Sequence, residues 1–208
     1  LSEHLLAVGS AVRKMPVVSI TEGEDIGEIR DIIYDGEVGA VVGFTLNKRG
    51  FLSGRLDEVL PTQGVYAIGQ EAVMVVDRSS LVDPASAEEA IARPETDRNV
   101  IGNDVLTESG TSLGTVVDVV LLTGPAFAGR AGDVVGYEVK LPAGGLRYIP
   151  LPVQVAVSGK ALVVPDSTEE YICDGLAELS EAIGRFRARM AGERDDHPAR
   201  PSPEDGDG

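Results

Sequence analysis

The chain has 208 residues and a formal net charge of −16, with 43% hydrophobic and 4% aromatic residues and no Trp. That charge argues against a nucleic-acid backbone as ligand, since phosphate contacts need clustered Lys and Arg, and it would steer a basic protein surface toward the molecule. The single cysteine, Cys173, rules out an internal disulfide and suits a reducing compartment, and no stretch reaches the roughly 18 apolar residues of a membrane span.

Residues 1–15 read as a short N-terminal helix. Leu5, Val8, Val12 and Met15 recur at spacings of three and four, and Pro16 ends the pattern. The segment has neither a basic start nor a long apolar run, so a signal peptide is not expected. Residues 16–82 then read as a β unit. Val17–Ile20 is strand-like, Ile26–Tyr34 and Ala40–Asn47 form a hairpin around Asp35-Gly36, and short strands follow at Phe51–Arg55, Val65–Ile68 and Ala72–Val76. Within the hairpin, Ala40, Val42, Phe44 and Leu46 alternate with Gly43, Thr45 and Asn47, as a strand with one buried face requires.

Residues 83–98, with two prolines and a charge cluster, read as a linker. Residues 99–166 repeat the β plan with a longer loop, Thr123–Asp133, carrying Phe127 and Arg130. From 167 to 192 the period becomes helical. Ser167 and Glu170 have capping-box spacing, and Ile172, Leu176, Leu179, Ile183, Phe186 and Met190 form an apolar seam. Residues 193–208, rich in Pro, Asp, Glu and Gly, are expected to be a disordered acidic tail.

The chain says the same thing twice. Ile26-Gly27-Glu28-Ile29-Arg30-Asp31-Ile32-Ile33 returns as Leu113-Gly114-Thr115-Val116-Val117-Asp118-Val119-Val120, and Val42-Gly43-Phe44 returns as Val135-Gly136-Tyr137. Ala67-Ile68 and Ala72-Val73-Met74-Val75 return as Ala156-Val157 and Ala161-Leu162-Val163-Val164. The spacing between copies drifts while the strand-like blocks persist, so a tandem of two small β domains organises the chain.

Those residues carry a resemblance. The run from Val17 to Asp35, followed by Val41-Val42-Gly43-Phe44 and Ala67-Ile68-Gly69-Gln70-Glu71-Ala72-Val73, resembles the PRC-barrel family. That family includes the cytoplasmic domain of the photosynthetic reaction-centre H subunit, the C-terminal domain of the ribosome maturation factor RimM, and tandem-barrel archaeal proteins that bind a division protein. The first repeat matches more fully than the second. The resemblance implies a mainly β fold, two small PRC-type β-barrels in tandem with flanking N- and C-terminal α-helices. It also implies barrels used as docking surfaces, with no family-wide catalytic residues. Neither a membrane helix like that of the H subunit nor a separate N-terminal domain like that of RimM is read in these residues, so neither named function is expected to transfer directly.

Catalysis finds little foothold in the residues themselves. His4 and His197 fall outside both β units, and Cys173 beside the apolar seam reads as a buried small hydrophobe. No spacing matches a metal site or a phosphate-binding loop, so neither a metal nor a cofactor is expected. Asp31 and Asp118, equivalent in the two repeats, read as backbone-bonding carboxylates rather than a catalytic pair. The doublets Asp57-Glu58, Glu88-Glu89 and Asp195-Asp196 read as solvated charge in turns or tails.

Two segments could carry binding. One is the loop with Phe127 and Arg130, since such residues often anchor partners. The other is the seam Ile172–Met190, whose apolar side chains must be buried either in cis or by self-association, including a homodimer through the C-terminal helix. Arg far outnumbers Lys, as in GC-rich bacterial proteins. The expectation is therefore a non-enzymatic bacterial adaptor, cytoplasmic or peripheral to the inner membrane, docking a protein partner with a basic surface and no nucleic acid. By analogy, division or envelope machinery is one setting. A ribosome-assembly factor binding a basic ribosomal protein and a small-ligand-binding barrel are the alternatives.

Overall fold

Short runs of Val, Ile and Leu between turn-forming Gly and Asp fold into two sheets, one built mainly from each repeat. The computed structural model describes residues 6–35, 40–49, 54–86, 100–125, 132–151, 156–158 and 161–196. The first repeat supplies β2 (Pro16–Ser19), β3 (Asp25–Asp35), β4 (Ala40–Lys48), β5 (Gly54–Pro61), β6 (Val65–Ile68) and β7 (Val73–Val75). The second supplies β8 (Asp104–Thr107), β9 (Ser112–Leu122), β10 (Gly124–Pro125), β11 (Val134–Lys140), β12 (Leu146–Pro150), β13 (Ala156–Ser158) and β14 (Ala161–Val164). Strand β1 (Leu6–Val8) and a single helical turn, α1 (Gly9–Val12), precede them, and α2 (Leu176–Asp196) follows.

The sheets trade strands. The first runs β10-β6-β7-β2-β3-β4-β5, so its terminal strand β10 belongs to the second repeat's long loop. The second runs β12-β11-β9-β8-β14-β13, with β1 pairing Leu6, Ala7 and Val8 against Leu122, Leu121 and Val120 of β9. Among the described residues neither hydrogen-bonded path returns on itself. In both repeats the last short strand pairs in parallel with the first, β7 with β2 and β14 with β8. That repeated feature confirms that the halves share one plan.

The two interiors merge. One apolar cluster contains Val17, Ile29, Phe44, Leu46 and Leu60 from the first repeat and Val105, Val119, Tyr137, Ile149 and Leu162 from the second. Val12 of α1 is part of it. Two small units of this size would each bury little surface alone, and a shared core offsets that weakness.

Simple alternation predicts that Val42 shares a face with Phe44 and Leu46, and Val135 with Tyr137 and Val139. The structure departs from this at matching places. The β3–β4 register shifts between Ile33 and Tyr34, and the β9–β11 register shifts between Val134 and Gly136. A bulge reverses which face a side chain takes. Val42 therefore packs with Ile33, Val59 and Val82 in an outer cluster, and Val135 packs with Leu6, Val120 and Leu179 in another.

Three sequence expectations need correction. The N-terminal helix over 1–15 is replaced by β1 and the one-turn α1, with residues 1–5 outside the described set. An isolated short helix is marginal in water, and Gly9 weakens it further, whereas the open edge at the end of β9 supplies ladder hydrogen bonds. Of the strand expected at Phe51–Arg55, residues 51–53 lie outside the described residues and Gly54 and Arg55 open β5, which runs on to Pro61 and places Asp57 and Glu58 within a strand rather than a turn. Outward charges suit this edge, while Leu56 and Leu60 face the shared core and Val59 the outer cluster.

The C-terminal helix begins at Leu176, not at 167. Asp166–Tyr171 is a 3₁₀ segment, and Cys173 is held extended by reciprocal backbone hydrogen bonds with Tyr148 of 2.8 and 2.9 Å. The Ser167–Glu170 capping box is absent, because Ser167 Oγ is buried with no hydrogen-bond partner. Glu178 instead accepts from the Asp174 backbone N–H at 3.0 Å. The helix continues to Asp196, past the expected boundary at 192, and residues 197–208 lie outside the described set.

Candidate interaction surfaces

The junction between the repeats is closed by the N-terminal turn. The Asp118 carboxylate, nearly buried on β9, accepts from the Ser10 backbone N–H at 2.9 Å and from its neighbour's N–H, Val119, at 2.8 Å. Asp31, its equivalent on β3, accepts from the Ile32 N–H at 2.9 Å and pairs with Arg13 at 3.0 Å. Gly9 leaves no room for a larger residue. A Cβ there would lie 2.8 Å from Asp118 Oδ1 and 2.9 Å from Ile32 Cδ1, touching both repeats. Both aspartates thus do structural work with backbone groups.

Tyr34 and Tyr137 are buried beside this junction, and neither hydroxyl has a hydrogen-bond partner among the described residues. Burial pushes both phenols above the ordinary tyrosine range. For Tyr34 the Arg13 guanidinium partly opposes that rise, while Asp118 and Asp31 add to it. Tyr148 donates to Glu138 at 2.8 Å, and burial followed by that bond pushes its phenol up to about 12.

The expected seam is consumed within the chain. Leu179, Ile183, Phe186 and Met190 are buried, while Ile172 and Leu176 are half-buried. Leu179, Ala182 and Ile183 pack on Leu6, Val120 and Val135, so α2 covers the outer face of the second sheet together with β1. Phe186 lies 5.2 Å from Tyr171 between ring centroids, and ion pairs Arg189–Glu170 and Arg147–Asp174, each 2.6 Å, tether the helix. Cys173 is buried and donates to the Tyr171 carbonyl, and burial pushes its thiol up, which disfavours the thiolate a nucleophile needs.

Phe127 and Arg130 lie outside the described residues, as do His4, His197 and Glu88-Glu89. The stems of the loop that carries Phe127 and Arg130 reach the first repeat. Gly124 and Pro125 pair with Ile68 and Ala67, and Gly132 sits over Phe44 and Ile68.

Each repeat carries a surface groove. The first, about 530 Å³, is lined by Glu28, Arg30, Asn47, Lys48, Arg49, Gly54 and Arg55. Register places Glu28 beside Asn47 and Asn47 beside Arg55, a continuous row across β3, β4 and β5. Arg49 pairs with Asp25. Arg30, Lys48 and Arg55 form no ion pair among the described residues.

The second groove, about 430 Å³, is lined by Thr111, Ser112, Leu113, Leu141, Pro142, Ala143, Glu169 and Ile172. The alignment that sets Val135-Gly136-Tyr137 on Val42-Gly43-Phe44 carries Leu141 onto Lys48 and Pro142 onto Arg49. The row equivalent to Glu28–Asn47–Arg55 is Thr115–Lys140–Leu146. The second repeat keeps one cation in that row, Lys140, but carries Leu141, Pro142 and Leu146 where the first repeat has Lys48, Arg49 and Arg55.

The basic groove was missed in the sequence because its residues come from three strands. Lys48-Arg49 followed closely by Arg55 in an acidic chain is the signal that could have exposed it. Among the described residues no three His, Cys, Asp or Glu side chains come together to hold a metal ion, and no helix is long and apolar enough to cross a membrane.

Two copies of one small β plan, fused through a common core and differing in surface chemistry, define a tandem-repeat β protein. The PRC-barrel domain model matches residues 9–82 and again 95–171, and the chain belongs to that family. No match was found among curated proteins. Strand β1 and helix α2 lie outside the matched segments, and they pack against each other on the second repeat.

Proposed function

We propose that the protein is a non-enzymatic adaptor that docks a protein partner on the outer surfaces of its two repeats. One observation carries this reading. The shared interior is filled by Phe44, Leu46, Leu60, Tyr137, Ile149 and Leu162, each fully buried, so recognition falls to the surface. This also speaks against a small-ligand carrier, which needs a roomy interior pocket with convergent polar groups. The family resemblance supports docking by analogy, since fold alone does not set function.

With a net charge of −16, the exterior favours a partner with a basic surface, to be sought at the inner face of the membrane or among division and envelope proteins. The test is affinity capture from the native host with crosslinking, at low and moderate salt. Reproducible capture of one protein partner, weakened by salt, is the expected result. Recovery of small-subunit ribosomal proteins would move the reading to ribosome assembly, and recovery of the chain alone would overturn docking.

A further inference from the structure

We propose that the basic groove across β3, β4 and β5 recognises a short acidic peptide segment of a partner protein. The inference rests on the docking reading and adds to it the chemistry of one contact. Four of the groove's residues, Arg30, Lys48, Arg49 and Arg55, are cationic, in a chain with 18 Lys and Arg against 34 Asp and Glu. Glu28 is the one carboxylate among the residues that line the groove, and Asp25 pairs with Arg49.

The cluster is not required by the fold. The second repeat builds the same end of the same plan with Leu141, Pro142 and Leu146 where the first has Lys48, Arg49 and Arg55, and keeps a single cation there, Lys140, in the place of Asn47. Since Arg30, Lys48 and Arg55 are exposed and make no ion pair among the described residues, their charges are open to a ligand. Arginine forks match carboxylates bidentately, and Asn47 and Glu28 add a donor and an acceptor for peptide groups.

Size and field select the ligand. The groove, about 530 Å³, is of a size that suits a small ligand or a few side chains. Screening over about 10 Å at 0.1 M salt lets the local positive charge prevail for a short segment, whereas a nucleic acid or an anionic membrane would meet the acidic remainder of the surface. Backbone contacts favour a peptide over a free oxyanion. Strand β5 ends its sheet; Gly54 and Arg55 pair with Lys48 and Asn47 of β4, and among the described residues their outer edge has no strand partner, so it can add an extended segment.

The experiment is fluorescence anisotropy of a labelled Glu-rich peptide titrated with the full chain. Saturable binding is expected at about 0.1 M salt, where the acidic remainder of the surface is screened, falling as salt rises further. Arg30→Glu with Arg55→Glu should weaken it at least about tenfold, while Arg185→Glu with Arg187→Glu, an equal charge change on the exposed face of α2, should change it less than about twofold. Arg30→Gln with Arg55→Gln, which adds no repulsion, should give an intermediate loss, and its melting temperature should match the parent. The inference is overturned by absent binding, by equal losses in the groove and helix variants, or by inorganic phosphate displacing the peptide at matched charge concentration. If a partner captured from the host binds the groove variant as well as the parent, this inference fails while docking stands. If the parent captures no partner, docking itself fails.

Discussion

Asp31 and Asp118 occupy matching places in the two repeats and grip the same N-terminal turn from its two sides. Asp118 accepts from the Ser10 N–H at 2.9 Å, and Asp31 pairs with Arg13 at 3.0 Å. Their surroundings differ, since Asp118 is nearly buried and Asp31 is exposed.

Asp118→Ala should therefore destabilise the protein by about 1–3 kcal/mol, because it strands the buried Val119 N–H and leaves the part-buried Ser10 N–H without its acceptor. Asp31→Ala removes an exposed ion pair and should cost no more than about 1 kcal/mol. Urea denaturation of the two variants checks this. Equal losses would mean that the two carboxylates are energetically alike despite their burial.

Helix α2 should act as a lid on its own sheet. Leu179, fully buried against the outer face of the second sheet, should cost about 2–5 kcal/mol on replacement by Ala, while exposed Arg187→Ala should stay within about 0.5 kcal/mol. Sedimentation of a chain lacking residues 176–196 separates packing from assembly. The structure predicts a lower melting temperature with an unchanged oligomeric state, and loss of a dimer would contradict cis packing.

Much of this was legible in the chain because strands announce themselves by alternation and duplication by recurrence. The β3–β4 and β9–β11 hairpins, and the backbone roles of Asp31 and Asp118, follow from local pattern. What escaped depends on distant partners. Leu6–Val8 became a strand only because the end of β9 offered an edge, and Val42 and Val135 changed faces because bulges shifted their register. The basic groove escaped for the same reason, since Glu28, Asn47 and Arg55 become neighbours only through strand register.

Buried phenols give the protein an alkaline limit. Tyr34, Tyr137 and Tyr148 are each held neutral above the ordinary value near 10. Below that value the folded and unfolded chains both keep these protons. Above it the unfolded chain releases them while the folded chain does not, so stability falls as pH rises past about 10. Tyr137→Phe should flatten that fall and, by removing an unpartnered hydroxyl, should cost under about 1 kcal/mol at neutral pH. Denaturation midpoints measured across pH 8–11 (about three units spanning the phenol range) check both statements.

A docking role that uses differing ends of two repeats needs those ends held in fixed relation, and the exchanged strands β1 and β10 with the common core provide it. The most direct test is differential scanning calorimetry of the whole chain. One transition is predicted, with calorimetric and van't Hoff enthalpies equal, as for a single cooperative body. Two resolved transitions, one for each repeat, would contradict the fused core.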